Sequence, residues 1–366
     1  MPGLLQRNER AITAAQPGPE RALLLAQRVS LLARHWRVHE LPAALHAAEA
    51  AVRAAADARA EAELDLARGV ARYYGAQVED AAEPITRARD AAQGLGERGL
   101  QAECEAWLGC IVGTLQQEPA RSLGHLHAAA RLGAAHRPLA AARSLYVLAT
   151  LYQEADLMEQ AVRHYRRATL IARRENDEQL LAAVHRYMTL AQVQQVRRGR
   201  AAGRMDDELL KQAIAALGSG QQLTAVLSGD DSSVQSSLRL GEMLRVAGEH
   251  ARAVEVFERC VDRAARAGMT WEATIARADH AVCLARLGRL LDANQGGALA
   301  EAELEPGFAD YVRAVVHDSL AELHELLGRV AQRERHAELA RAAWASDRDY
   351  CARLRAALQA CEPLAD

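Results

Sequence analysis

The sequence repeats itself at an interval of forty residues, and this repeat constrains the fold more than any local motif does. Six small residues mark it in two series, each with a spacing of forty: Gly69, Gly109 and Ala149, then Gly241, Ala281 and Ala321. Around each of them, apolar residues recur at helical spacing on both sides of a short polar turn. Each unit is therefore predicted to be a hairpin of two antiparallel helices.

The turns inside these hairpins carry their own signals. Gly248, Gly288 and Gly328 each follow the small residue by seven positions, where a helix that ends in the left-handed conformation favours glycine. In the unit around Ala149, Asp156 stands at this place with Glu159 three residues later, and the pair is predicted to cap the second helix.

These hairpins resemble tetratricopeptide repeats. The pattern is clearest in two units with the same internal spacing: Leu145, Leu148, Ala149, Tyr152, Ala161, Tyr165 and Ala168, then Leu240, Gly241, Leu244, Ala253, Phe257 and Cys260. Three positions depart from it: Gly297 replaces the aromatic residue, and Arg72 and Arg121 replace an apolar and a small residue. Because the period exceeds the usual 34 residues, the chain is similar to the long-helix variant of bacterial regulators and sensors. The resemblance implies an all-α fold, a right-handed superhelical solenoid of about seven to eight hairpins with a C-terminal capping helix.

Interruptions of the repeat predict the domain organisation. Ala149 and Gly241 lie twelve residues further apart than two periods, and a segment rich in Gly, Ser and Asp precedes Gly241. The predicted parts are a flexible lead at 1–20, a first array at 21–227, a hinge loop at 228–233, a second array at 234–346, and a capping helix and tail at 347–366. The cap is expected to cover the open end of the solenoid.

Charge and composition exclude several classes of protein. The 45 Lys and Arg residues face 48 Asp and Glu residues, so the chain lacks the basic excess of a dedicated nucleic-acid binder. The start of the sequence has no apolar core of a secretory signal, and no apolar run is long enough to span a membrane. Six cysteines without a CxxC pair are expected to be reduced. We therefore predict a cytoplasmic protein that binds neither membranes nor nucleic acid.

Candidate cofactor and metal motifs are weak. Residues 94–99 match GxGxxG, but no strand precedes them, so they are interpreted as a loop between hairpins. The single lysine, Lys211, lacks a glycine-rich approach, so no Walker loop is present. His35 and His39 on one predicted helix lack a third ligand at a persuasive spacing. Like His317, Asp318 and His324, they are interpreted as surface or core residues of amphipathic helices. No cofactor, metal or catalytic residue is predicted.

Two polar runs are interpreted as solvated loops. The run Arg197, Arg198, Arg200 and Arg204 falls in the stretched turn before Asp206, and an anion or nucleic-acid contact there is the alternative. Serines at 228–237 lie near Asp230 and Asp231, but no histidine is close enough in sequence to suggest a catalytic triad.

The inner wall of the solenoid, formed by the first helix of every hairpin, is the predicted binding surface. Repeat phase places polar and apolar side chains there, as a groove for a peptide requires. The partner-binding residues predicted in this way are Arg143, Tyr146, Gln153, Arg186, Gln194, Gln235, Glu242, Arg245, Asp318 and Glu322. The first hypothesis is a non-enzymatic scaffold that binds a protein segment or peptide in bacterial regulation. The alternative is a ligand-sensing module that controls an output domain such as a diguanylate cyclase or a transcription regulator, as the resemblance implies.

Overall fold

The computed structural model describes residues 3–75, 77–113, 118–227 and 230–361, and every element in these ranges is helical. Helices α1 to α9 are Leu4–Ala14, Pro19–Arg34, Leu41–Ala55, Ala58–Tyr74, Ala82–Leu95, Arg98–Ile111, Pro119–His136, Pro138–Glu154 and Met158–Glu175. Helices α10 to α17 are Glu178–Ala201, Asp207–Leu227, Asp230–Val246, His250–Arg266, Thr270–Arg286, Leu290–Glu303, Asp310–Leu326 and Val330–Ala360. Within the described ranges, α2 to α17 pair in order into eight hairpins, which confirms the predicted all-α hairpin repeat.

The small residues of the repeat lie where two helices of a hairpin approach most closely. A Cβ atom added to Gly69 would lie 2.3 Å from Ile85, one added to Gly109 would lie 2.6 Å from Leu126, and one added to Gly241 would lie 2.6 Å from Phe257. Gly297, which stands at the aromatic position, has its space filled from the next hairpin, because an added Cβ would lie 2.3 Å from Leu323. The missing ring is therefore replaced by a leucine of α16.

The turns agree with the prediction in three hairpins and differ from it in a fourth. Gly248, Gly288 and Gly328 have φ angles of 80°, 80° and 70°, as predicted. Asp156 also has a positive φ, 58°, and the residue before α9 is Leu157, without a side-chain cap. The predicted capping role of Asp156 is therefore wrong. It occupies the left-handed position that glycine holds in the other three turns.

The chain divides into two compact units, with boundaries inside helices. Unit 1 runs to Tyr187 and includes the chain from Leu354 onward, and unit 2 runs from Met188 to Arg353. Neither boundary falls at the predicted hinge loop, 228–233. Residues 230–233 belong to α12, and residues 228–229 lie outside the described part of the chain. Ten of the twelve additional residues lengthen α10 to 24 residues and α11 to 21, whereas α8 has 17 and α9 has 18. The other two lie in the connection at 202–206, which is longer than the one at 155–157.

Both predicted end segments are also helical in a way that the repeat did not indicate. Residues 4–14 form α1 rather than a flexible lead, and the Asn8 side-chain amide donates to the Leu24 carbonyl of α2 at 3.0 Å. Asp347 does not begin a separate capping helix, because α17 is continuous from Val330 to Ala360. Among the described residues, none of the helices is both long and apolar enough to cross a membrane.

Candidate functional site

The predicted partner-binding residues of unit 1 are buried rather than exposed. The interior of the structure contains Arg143, Tyr146, Gln153 and Arg186, and only 2% of the surface of Arg143 is exposed. For Arg143, Tyr146 and Gln153 the cause lies in α8, which packs against α6, α7 and α9 and so has no free wall on these flanks. The expectation that repeat phase exposes these side chains is therefore wrong. Gln194 is half-buried.

Arg143 belongs to a buried group of charged and aromatic side chains in unit 1. Its guanidinium lies 3.9 Å from the centre of the Trp107 ring and 3.6 Å from a Glu103 carboxylate oxygen. Burial would raise the pKa of Glu103, but Arg137 and Arg143 outweigh it and hold that pKa below the ordinary value. Tyr146 packs on Tyr187 with ring centres 4.9 Å apart. These contacts stabilise unit 1 and leave little of Arg143 for a ligand.

Unit 2 contains a buried ionic network centred on Asp279. Its carboxylate pairs with Arg197, lies 3.2 Å from Nε of Arg245, and accepts a hydrogen bond from Ser319 Oγ at 2.7 Å. Burial would raise the pKa of Asp279, yet the two arginines outweigh it and lower the pKa. The network therefore fixes an ionised carboxylate between α10, α12 and α16.

Glu242 lies at the edge of this network, where its negative charge is balanced less fully than that of Asp279. Its carboxylate pairs with Arg197 at 3.4 Å, and Asp279 adds a like charge nearby. Burial, and then the Asp279 charge, raise the pKa of Glu242 to about 7. Glu242 and Arg245 were predicted as groove residues, and both are buried in this network. Gln235, also predicted, is half-buried and donates to Glu272 at 2.6 Å.

Glu322 connects the network to the surface. Its carboxylate accepts from Arg245 at 2.8 Å, from Arg286 at 2.9 Å and from Arg200 at 3.2 Å. Burial would raise the pKa of Glu322, but Arg245 and Arg286 outweigh it and lower the pKa. One carboxylate of α16 thus holds guanidinium groups from α10, α12 and α14.

A pocket of about 700 Å³ opens above Glu322. Charged side chains of both signs line it, with two alanines between them: Arg200, Arg286, Asp318, Ala321, Glu322, Glu325, Arg333, Glu334, Ala337 and Arg341. A smaller pocket of about 230 Å³ shares Arg200, Asp318 and Glu322 with it and reaches Trp344. The Trp344 indole N–H donates to Asp318 at 2.6 Å, and desolvation there raises the pKa of Asp318. Asp318 and Glu322 are thus the two predicted residues that line the larger pocket.

Sequence reasoning missed most of the pocket lining. Arg286, Arg333, Glu334 and Arg341 were not predicted, and the last three lie on α17, the second helix of its hairpin. Restricting the search to first helices excluded them. The signal that could have found them is the run of charged residues along 333–341, which has no counterpart in the same place of the α15 hairpin.

The basic run is not a solvated loop. Arg197, Arg198 and Arg200 lie on α10, and only Arg204 is in the turn. Arg197 pairs with Asp279, Arg198 donates to Asp347 at 2.8 Å, and Arg200 donates to Glu322 at 3.2 Å. The interpretation as a mobile loop failed because α10 continues past the predicted turn. Its arginines serve as internal partners for carboxylates of unit 2.

The other weak motifs are ordinary parts of helices and turns. Gly96, with φ of 71°, ends α5 just before α6 within the GxGxxG segment. His35 ends α2 and His39 lies in a short 3-10 helix, so the two are not on one helix as predicted. His317 Nδ1 lies 3.1 Å from His336 Nδ1, while Asp318 contacts Trp344. Among the described residues, no cluster of three or more His, Cys, Asp or Glu could hold a metal ion. The serines from 230 to 237 lie on α12.

Comparison with known proteins finds solved structures with a similar fold. No protein-family model matches the sequence, and no curated protein does. Among solved structures, a Rap protein in complex with Competence and Sporulation Factor matches with a TM-score of 0.63 and 16% identity, over 96% of this chain and 93% of that one. The apo form of RapI matches with a TM-score of 0.50 and 10% identity, over 90% and 87%. Aspartyl phosphate phosphatase F from Bacillus subtilis has a TM-score of 0.49 and 12% identity, over 93% and 96%. At these identities the likeness is one of fold, and the chain is a tetratricopeptide-repeat-like helical protein with the fold of the Rap protein.

Proposed function

We propose that this protein is a non-enzymatic scaffold that binds a protein segment or peptide, and that the charged pocket of unit 2 is the binding site. The observation that carries the proposal is the pocket above Glu322. Its volume of about 700 Å³ lies within the usual range of ligand sites, about 300 to 1,000 Å³. Its walls come from three first helices and from α17, as expected for a groove that runs along successive hairpins.

The chemistry of the walls favours a peptide over an apolar small molecule. Small-molecule sites are lined mostly by apolar side chains. Here four arginines and four carboxylates surround two alanines, so a ligand gains by offering charges of both signs. A short peptide with acidic and basic side chains meets this requirement, and its backbone can bond the remaining donors.

The comparisons support a partner of this class without identifying it. One structure with the same fold was solved in complex with Competence and Sporulation Factor. For this chain, the proposal of a non-catalytic role in regulation rests on the charged pocket. Two of its arginines, Arg200 and Arg286, are already paired with Glu322. In this proposal the buried Arg245 holds Glu322 of the pocket wall in place, and the exposed members of the pocket contact the ligand.

The test uses a library of short synthetic peptides of mixed charge, screened against the full chain by fluorescence polarisation. Glu325→Ala and Arg341→Ala remove exposed pocket side chains that form no ion pair with any described residue. We expect each to raise the Kd of the bound peptides about tenfold. Glu338→Ala on α17 and Arg266→Ala on α13 are matched exposed controls outside the pocket and should change the Kd less than twofold. Peptides that bind all four variants equally well, or no bound peptide at all, would refute the proposal.

A ligand-sensing module is the second candidate, and the position of Glu322 favours it. Because Glu322 holds Arg200, Arg245 and Arg286 together, a cationic ligand group that takes this carboxylate would release three helices of unit 2 from one another. Hydrogen exchange of unit 2 with and without a bound peptide separates the candidates. Faster exchange in α10, α12 and α14 on binding supports sensing, and slower exchange throughout supports a rigid scaffold.

A further inference from the structure

Helix α9 of unit 1 has one face built into the protein and an opposite face without a covering element. Ala161, Tyr165, Ala168 and Ala172 form the buried face, and α9 packs mainly on α8. The outward face carries six residues that we call the α9 surface: Val162, Arg163, Arg166, Leu170, Arg173 and Arg174, all of them exposed. It belongs to a different unit from the charged pocket and is independent of the function proposed for that pocket.

The charge of the α9 surface is not neutralised by the protein. Within the part of the chain that the structure describes, its four arginines make no ion pair, and no acidic residue occurs between Val162 and Arg174 in the sequence. The second helix of a later hairpin, α13, is different, because Glu255, Glu258 and Asp262 alternate with its arginines. Four like charges along about three helical turns repel one another. They are retained on the surface at a cost that an acidic partner would offset.

Apolar side chains lie within this charge. Leu170 is 65% exposed, with Arg166 one turn before it and Arg173 and Arg174 one turn after it. Val162 is 38% exposed and lies one turn before Arg166. Residues spaced by four share one helix face, so apolar and cationic contacts alternate along one line. Arginine is enriched at protein interfaces relative to the rest of the surface, and covering Leu170 would remove apolar area from water.

We propose that the α9 surface is a docking site for an acidic amphipathic helix of a partner protein. Carboxylates on the partner pair with the four arginines, and an apolar side chain between them covers Leu170. The distance from Arg163 to Arg174 is about 17 Å at 1.5 Å per residue, which matches about three turns of a partner helix. The contact is small, so binding is weak and falls as salt screens the charges.

Two other polyanions fit the observations less well. A nucleic-acid backbone would pair with the arginines but leave Leu170 and Val162 exposed to water. An anionic membrane needs a helix that can lie in the interface with a broad apolar face, usually with aromatic side chains. The face of α9 opposite the surface is buried in its hairpin, and the α9 surface itself offers only two apolar side chains.

The test measures binding of the full chain to a synthetic helical peptide of about 18 residues, with glutamates flanking a leucine stripe. The double variant Arg166→Glu with Arg173→Glu reverses two central charges. We expect it to weaken binding of the acidic peptide at least tenfold and to bind a peptide with lysines in place of the glutamates, which the unaltered protein does not bind. Gain of this second binding shows that the variant is folded. Leu170→Ser should weaken binding of the acidic peptide about fivefold at unchanged charge.

The control is Arg259→Glu with Arg266→Glu on α13, which makes the same charge change on another exposed helix and should alter the affinity less than twofold. Phosphatidylserine vesicles and a DNA duplex are measured in parallel. Tighter binding of either one, lost in the α9 variant, would replace the proposed partner with that polyanion. Equal weakening by both charge reversals, or no binding of the acidic peptide, would overturn the proposal.

Discussion

Arg245 has almost no exposed surface, and its charge is balanced within unit 2 by Asp279 and Glu322. Removing one partner of a buried ion pair is strongly destabilising because it leaves charge uncompensated. We expect Arg245→Ala to lower the free energy of unfolding by about 3 kcal/mol, measured by urea denaturation. Arg341→Ala, an exposed arginine of the pocket, should change it by about 0.5 kcal/mol or less. Equal losses in the two variants would contradict the buried network.

At the residue scale, sequence reasoning found the polar side chains of the first helices and misjudged their exposure. Arg143, Glu242 and Arg245 stand at the predicted repeat positions, but these flanks of a first helix face the neighbouring hairpins. Whether such a flank is open depends on how closely the hairpins pack, and the repeat period does not contain that distance. Asp279 and Ser319, forty residues apart and hydrogen-bonded, occupy one repeat position in successive hairpins. Charged or polar residues at such positions indicate burial between hairpins.

The hairpin turns give a prediction at the scale of the element. Asp156 adopts the left-handed conformation that Gly248 adopts in a later hairpin, and only glycine adopts it without a steric penalty. We expect Asp156→Gly to raise the free energy of unfolding by about 0.5 kcal/mol, because relief of strain exceeds the added entropy of the unfolded chain. The reciprocal change, Gly248→Asp, should lower it by about 1 kcal/mol. Thermal denaturation of both variants checks the pair, and shifts of the same sign would contradict this account of the turns.

The contact between the helices of one hairpin gives a second prediction at this scale. Ala161 and Ala253 are fully buried at corresponding repeat positions. Replacing either with leucine should overpack the contact and lower the free energy of unfolding by about 1 to 3 kcal/mol. Ala251→Leu, at an exposed position of α13, is the control and should have little effect. Unchanged stability in both buried variants would mean that the repeat register is wrong.

Elements with their own local signal were predictable, and elements decided by packing were not. Glycine in the left-handed position marks a turn wherever it occurs, so the turns at Gly248, Gly288 and Gly328 followed from sequence alone. The additional residues before Asp206, which include Gly199 and Gly203, were assigned to a stretched turn. The structure extends α10 through Gly199, where an added Cβ would lie 2.7 Å from the Arg204 carbonyl oxygen. That glycine permits a close approach of the backbone at the end of the helix instead of ending the helix early.

For the whole molecule, we expect the buried histidines to govern the change in stability between pH 7 and pH 5. Eight of the 13 histidines have a lowered pKa, in each case mainly because burial disfavours the charged ring: His35, His127, His185, His250, His280, His317, His324 and His336. Two of them reach a pKa of about 4, His35 and His317. The unfolded chain binds protons at these sites from about pH 6.5 downward, and the folded chain binds them only at lower pH. The corresponding stability is present above pH 6.5 and is lost as the pH falls towards 4.

Glu242 works in the opposite direction, because its raised pKa of about 7 favours the folded state below the ordinary glutamate pKa and costs stability as the pH rises through 7. The pKa values of Glu272 and Asp318 are raised by burial in the same direction. Eight histidines outweigh these three carboxyls, so we expect Tm to fall by about 5 °C or more between pH 7 and pH 5. His317→Asn removes a ring that contacts His336 and should reduce this fall. His39→Asn removes an exposed ring, 82% accessible, and should leave the fall unchanged. Tm is measured by calorimetry at four pH values. A Tm that is constant over this range, or an equal effect of both variants, would show that the buried histidines do not govern acid stability.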